Sequence, residues 1–97
     1  MITVWKYPLE GRPPRDFMLS LPAGARPLYV GVDIHFTPHL WCLVDSEQPP
    51  VSTRVWIFGT GETIAEGGIL ASAWGDAYVG SYTLGPFLWH VFVGEPR

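Results

Sequence analysis

The stretch Arg54-Val55-Trp56-Ile57-Phe58-Gly59-Thr60-Gly61-Glu62-Thr63-Ile64 decides the fold of this chain. Its first half is β-branched and aromatic, which suits a pleated, half-buried strand. Its second half changes to Gly-Thr-Gly, and glycine permits a sharp backbone turn. We therefore predict a strand over 53–58 that lies inside its sheet and runs into a turn.

Further strands of similar composition are predicted on both sides of this stretch, at intervals of roughly ten residues. They cover 2–7, 16–21, 28–36, 40–45, 77–84 and 87–93, and Gly- and Pro-rich segments separate them. Gly67 and Gly68 weaken any helix between 62 and 76, so a loop is expected there. The pattern predicts a single domain over 1–97. Its fold class is all-β, a compact antiparallel sandwich or partly open barrel of about seven short strands.

Alternation of side chains assigns the two faces of these strands. In 28–36 the residues expected to face the core are Leu28, Val30, Val32, Ile34 and Phe36. In the last hairpin, joined near Gly85-Pro86, one face is expected to carry Tyr78, Gly80, Tyr82 and Leu84. If Val55 and Ile57 face the core, Trp56 points outward.

Composition limits the class of protein. Hydrophobic residues make up 47% of the chain and charged residues only 15%, which excludes disorder for most of it. So few charges on a small domain favour a homo-oligomer, in which a partner copy covers apolar surface. The net charge of −3 and the scattered basic residues argue against binding to duplex nucleic acid.

The predicted location is the cytoplasm. Cys42 is the single cysteine, so it cannot form an intrachain disulfide and is expected to be a small buried hydrophobe. The opening Met1-Ile2-Thr3-Val4-Trp5-Lys6 lacks the features of a signal peptide. Apolar runs long enough to span a membrane are missing as well.

Several segments carry a resemblance to a known family. They are Val4-Trp5-Lys6-Tyr7-Pro8-Leu9, Leu40-Trp41-Cys42-Leu43-Val44-Asp45, Ile57-Phe58-Gly59-Thr60-Gly61, Tyr78-Val79-Gly80-Ser81-Tyr82 and Leu88-Trp89-His90-Val91-Phe92. Together they resemble a family of small proteins of tailed phages and bacterial genomes that has no settled activity. The segment between Ile64 and Tyr78 departs from that family's more charged linker. The resemblance implies a phage origin. By analogy with small phage proteins that sequester nucleotide messengers, it also implies a role against host defence, in the host cytoplasm.

The predicted ligand site surrounds the glycine-rich turn. Backbone amides of Gly59, Thr60 and Gly61 can form a concave nest for a phosphate or carboxylate. Arg54 adds a guanidinium, Trp56 a stacking surface and Lys6 a further cation. The simpler interpretation is a tight turn in which glycine supplies a positive φ. A P-loop is excluded, because the Gly-Lys-Ser/Thr ending is missing.

A metal site is the weaker alternative. Asp33 and His35 share a strand face, His39 follows the strand, and His90 is a possible fourth ligand. A polar strand face with a loop histidine explains the same residues, so neither a metal nor a cofactor is expected. Catalysis is not expected either, because the serines lack a Gly-x-Ser-x-Gly context and Cys42 lies in mid-strand.

These observations predict a non-enzymatic, oligomeric binding protein for a small anionic, nucleotide-like ligand. The five tryptophans fit such a role, because tryptophan is typical of interfaces and stacking sites. Two alternatives remain open. One is a protein–protein interaction module that inhibits a host enzyme, and the other is a minor virion component.

Overall fold

The computed structural model describes residues 1–9, 16–62 and 77–94. The strands of this part of the chain are β1 (Ile2–Pro8), β2 (Asp16–Pro22), β3 (Arg26–Val32), β4 (Pro38–Asp45), β5 (Pro50–Gly59), β6 (Tyr78–Leu84) and β7 (Phe87–Val93). They form two antiparallel sheets, with strand orders β1-β4-β3 and β2-β5-β7-β6. The sheets pack as a sandwich that does not close into a barrel. The all-β prediction is confirmed, and the sandwich is the correct one of its two forms.

The core lies between the two sheets and follows the alternation of the central strands. In β4, Leu40, Cys42 and Val44 are at most 1% exposed. In β5, Val55 and Ile57 are fully buried. Because β5 lies between β2 and β7, its position inside the sheet is as predicted. The loop expected over 62–76 lies outside the described residues, except for Glu62.

The third strand is shorter than predicted, and the core assignment for its second half is wrong. β3 ends at Val32, and Ile34 and Phe36 are 88% and 80% exposed. The cause is Asp33, whose Oδ1 accepts hydrogen bonds from the amides of His35 (2.8 Å) and Thr37 (3.0 Å). Such local bonds compete with the strand ladder and favour a turn.

A register shift in the same strand also changes the position of Leu28. Pro27 pairs with Cys42 and Tyr29 with Trp41, so Leu28 is the extra residue of a β-bulge. Leu28 is 52% exposed instead of buried in the core, while Val30 is buried as predicted. Bulges of this kind are common on edge strands such as β3.

The closing hairpin is confirmed, with one error in its face assignment. Gly85 has a φ of +61° and precedes Pro86, whose ring holds φ negative, so the two-residue turn is of type II′. A register shift inserts Val79 between Tyr78 and Gly80. Tyr78 therefore lies on the opposite face from Gly80, contrary to the prediction.

Among the described residues, no helix has the length and apolar character needed to cross a membrane.

Candidate ligand-binding face

The outer face of the four-stranded sheet carries a continuous set of aromatic and polar side chains. In β5, Val55 and Ile57 face the core, so Trp56 points outward as predicted, together with Arg54 and Phe58. Antiparallel pairing places residues of β7 and β6 beside them, since Trp56 pairs with Phe92, Phe58 with His90 and His90 with Ser81. We call the set Arg54, Trp56, Phe58, Thr60, Tyr78, Ser81, His90 and Phe92 the aromatic face.

The rings of this face contact one another across the strands. The centroids of Phe58 and Phe92 are 6.2 Å apart in an edge-to-face arrangement. Tyr78 and Phe92 are 5.4 Å apart. Aromatic pairs at such spacings contribute about 0.5–1.5 kcal/mol each beyond the area they bury. The rings therefore form a packed and only half-buried surface.

Arg54 and Trp56 form one end of the aromatic face. The Arg54 Cζ atom lies 5.0 Å from the centroid of the Trp56 ring, which is the geometry of a cation–π contact. Gly94 lies close to the six-membered ring of the indole. Its amide donates to the Arg54 carbonyl at 2.7 Å, and a Cβ at this position would lie 2.8 Å from the ring. Only a glycine leaves room for the indole in this arrangement.

A chain of side-chain hydrogen bonds crosses the same face. The Tyr78 hydroxyl lies 2.7 Å from Ser81 Oγ, and Ser81 Oγ lies 3.0 Å from His90 Nδ1. His90 Nε2 lies 2.7 Å from Thr60 Oγ1. The chain links β6, β7 and the end of β5, and it gives the face several groups that can donate or accept hydrogen bonds.

This chain has part of the geometry of a catalytic Ser–His pair. The distance from Ser81 to His90 is short enough for proton transfer. Both ring nitrogens of His90, however, lie beside hydroxyl groups. In a catalytic triad a carboxylate usually binds one ring nitrogen and orients the imidazole. Here both nitrogens of His90 already have hydroxyl partners. The arrangement suits hydrogen bonding to a ligand better than activation of a nucleophile.

The Gly59–Gly61 segment forms a tight turn at the end of the aromatic face. Gly61 has a φ of +89°, and the Glu62 amide donates to the Gly59 carbonyl, as in a type II turn. Two of the three amides of the predicted nest have partners within the protein. Gly59 donates to Glu62 Oε1 at 2.5 Å, and Thr60 donates to the Leu88 carbonyl at 3.2 Å. An anion at the Gly59 amide would have to displace the Glu62 carboxylate.

Lys6 lies apart from the other predicted ligand residues. It belongs to β1 in the three-stranded sheet, and its Nζ is 3.5 Å from Asp33 Oδ2. The structure thus brings Arg54, Trp56 and Thr60 to one face and places Gly59 and Gly61 at its end. Lys6 is in the other sheet.

Asp33 and His39 contact each other on that other sheet. His39 Nδ1 is 3.4 Å from Asp33 Oδ2 and 2.9 Å from the Thr37 carbonyl. Hydrogen bonding from the Thr37 amide is the main cause that lowers the Asp33 pKa, with smaller contributions from His35, His39 and Lys6. Within the described residues, no group of three or more His, Cys, Asp or Glu side chains is arranged to hold a metal ion.

Sequence reasoning missed the partners of Trp56 on β6 and β7. Phe58, Phe92, Ser81 and Tyr78 were not predicted as site residues, and His90 was considered only as a metal ligand. The alternation of Phe92 and His90 in β7 was the available signal. This signal became informative only with the register between β5 and β7. The local mark of the bulge that turns Tyr78 outward is Gly80, an isolated glycine inside the strand.

Fold and site together define a class: a β-sandwich that carries an aromatic, hydrogen-bonding face on its larger sheet. A comparison with protein families gives a match over residues 1–97 to a domain of unknown function, DUF7352, and the chain belongs to this family. Comparisons with curated proteins and with solved structures gave no match.

Proposed function

We propose that this protein binds a small, flat, anionic ligand of the nucleotide type on the aromatic face. The observation that carries the proposal is the joint presence of four aromatic rings and Arg54 on one outer sheet surface. Outward-facing strand positions in a β-sandwich are usually polar. Several aromatic side chains there need a ligand or a partner to explain them.

Different residues of the aromatic face bind different parts of the nucleotide. The ring of Trp56 and the neighbouring Phe92 offer a stacking surface to a base, and every base has a flat face that can use it. Arg54 beside them supplies positive charge for a phosphate. Ser81 and Thr60 offer hydroxyl groups, which hydrogen-bond to His90 in the free protein and can turn to polar atoms of the base or sugar.

The proposed biological role is sequestration. A phage-encoded homo-oligomer that captures a nucleotide messenger in the host cytoplasm would counter host defence without catalysis. The low fraction of charged residues supports association of copies, because it leaves apolar surface for a partner to cover.

Protein–protein interaction, with a host enzyme or in the virion, is the second candidate, and the other sheet supplies its support. Ile2, Val4 and Tyr29 are 64%, 49% and 62% exposed on strands β1 and β3. Ile34 and Phe36 are even more exposed in the following turn. Apolar side chains grouped in this way are typical of surfaces that bind another protein.

Isothermal titration calorimetry distinguishes the two candidates. Wild-type protein is titrated with adenosine 5′-monophosphate and with a cyclic dinucleotide, alongside Trp56→Leu and Arg54→Gln. The expected result is binding by the wild type. Loss of the stacking ring should weaken nucleotide binding about fivefold or more, because stacking of one base contributes about 1–3 kcal/mol.

Tyr29→Leu is the matched control, since it removes an exposed ring from the other sheet and should leave nucleotide affinity unchanged. Circular dichroism confirms that each variant is folded. Equal affinity in the wild type and Trp56→Leu, or no binding of either nucleotide, would rule out the aromatic face as a nucleotide site.

A further inference from the structure

A cavity of about 540 Å³ lies between the two sheets, at the end where the chain passes from β2 to β3. Its lining shares Tyr78 with the aromatic face but does not include Trp56 or His90. Its volume is within the range of about 300–1,000 Å³ typical of small-molecule sites. No sequence pattern indicates this cavity.

Two β-bulges shape the cavity. β3 and β6 are the facing edges of the two sheets, and they approach closely where Gly80 meets Val30. Next to this contact, each strand contains one extra residue, Leu28 in β3 and Val79 in β6, and both line the cavity. Bulges bend a strand away from its partner, and they are over-represented beside functional sites.

Thr53 lines this cavity and carries a buried hydroxyl that has no partner in the described part of the chain. The residue is 1% exposed, it lines the cavity, and its Oγ1 has no hydrogen-bond partner among the described residues. Valine would fit a buried inward position of β5 equally well by shape. A buried hydroxyl without a partner destabilises the fold. The presence of threonine at a position where it lowers the stability of the fold points to a ligand that forms a hydrogen bond with its hydroxyl.

We infer that the cavity is a second ligand site, which takes a small aliphatic carboxylate. The buried Thr53 hydroxyl turns toward the ligand and donates a hydrogen bond to the carboxylate, and the chain of the ligand packs against Leu28, Val79 and Val93. Arg26 is the charged residue in the described part of the lining, so the sign of the charge favours an anion. The inference does not depend on nucleotide binding. Tyr78 borders both sites, but Thr53 and Arg26, which carry the inference, are not part of the aromatic face.

The test uses octanoate and 1-octanol as probes, with the methyl signals of Val79 and Val93 followed by NMR. Octanoate is expected to shift these signals in the wild type. Thr53→Val should weaken octanoate binding about tenfold, because a hydrogen bond to a charged group is lost. Thr53→Ser keeps the hydroxyl and should bind as the wild type does.

Two further variants complete the experiment. Arg26→Gln should weaken binding of octanoate more than binding of octanol. Thr83→Val changes an exposed threonine of β6 and should leave both affinities unaltered. The inference is overturned if octanoate does not shift the cavity methyl signals, or if Thr53→Val binds it as tightly as the wild type.

Discussion

At the scale of single residues, Phe36 combines two unfavourable features. It is 80% exposed, and its φ of +60° is the only positive value at a non-glycine position in the described part of the chain. A left-handed conformation costs an ordinary L-residue about 1–2 kcal/mol, whereas asparagine adopts it more readily. An exposed and strained phenylalanine does not serve the stability of the fold, which is consistent with a role in contact with another molecule.

We predict that Phe36→Asn raises the free energy of unfolding by up to about 1 kcal/mol. Urea denaturation followed by circular dichroism measures the change. Ile34→Asn is the matched control, since Ile34 is 88% exposed and its φ is not positive. It should leave stability nearly unaltered. A loss of stability in Phe36→Asn would show that the ring contributes to the fold and that the backbone strain is unimportant.

Cys42 shows how burial determines chemistry at a single position. The residue is 0% exposed, and desolvation raises the pKa of its thiol from 9.0 to about 11. The unfolded chain therefore releases the thiol proton at a lower pH than the folded protein does. The contribution of the protonated Cys42 thiol to the free energy of unfolding is complete below pH 9 and is lost as the pH rises toward 11.

The corresponding prediction concerns reactivity and pH dependence. At pH 8 the native thiol should not react with Ellman's reagent until urea unfolds the protein, because the thiolate is the reactive form. The decrease in stability between pH 9 and 11 should be smaller in Cys42→Ala than in the wild type. Rapid labelling of the native protein at pH 8 would contradict the burial of this side chain.

At the scale of elements, the β6–β7 hairpin depends on one glycine. Gly85 occupies the first central position of a type II′ turn with a φ of +61°, which alanine adopts only with strain. Gly85→Ala should lower the free energy of unfolding by about 1–2 kcal/mol. The measurement is the urea midpoint of the variant relative to that of the wild type.

Gly80→Ala is the control for this prediction. Gly80 lies in the same hairpin at an ordinary φ, and a Cβ there would meet Val30 at 3.5 Å, a normal van der Waals distance. The substitution should change stability by only a few tenths of a kcal/mol. Equal destabilisation by both substitutions would mean that the strained turn is not the cause.

The elements also show how far the sequence predicts this structure. Alternation and Gly/Pro punctuation identified the seven strands that the described residues form, because the core face of each central strand repeats with period two. The predicted end of β3 was wrong. The Asp33 side chain accepts hydrogen bonds from the turn amides, and a hydrophobic pattern does not predict such bonds. The bulges at Leu28 and Val79 were missed because they follow from the pairing of strands and not from local propensity.

The same reasoning explains the outcome for the candidate site. The outward position of Trp56 was predictable from its own strand. Its neighbours Phe92 and Tyr78 were not, because they depend on register and on a bulge. Charge places Lys6 with Arg54 in the predicted site, whereas the strand order places Lys6 in the other sheet.

At the scale of the whole molecule, the sandwich presents two different outer surfaces. The four-stranded sheet has the aromatic face with its hydrogen-bonded chain through His90. The three-stranded sheet exposes aliphatic side chains such as Ile2 and Val4. We expect a ligand at the first surface and a partner copy at the second, so native mass spectrometry should detect a homo-oligomer.

An NMR titration of the labelled protein with adenosine 5′-monophosphate and a cyclic dinucleotide tests the central proposal most directly. The account predicts that one of them shifts the indole signal of Trp56 and the ring signals of Phe92 and His90. The cavity methyl signals of Val79 and Val93 should not respond. Shifts confined to the cavity or to the three-stranded sheet, or no shifts with either nucleotide, would contradict the account.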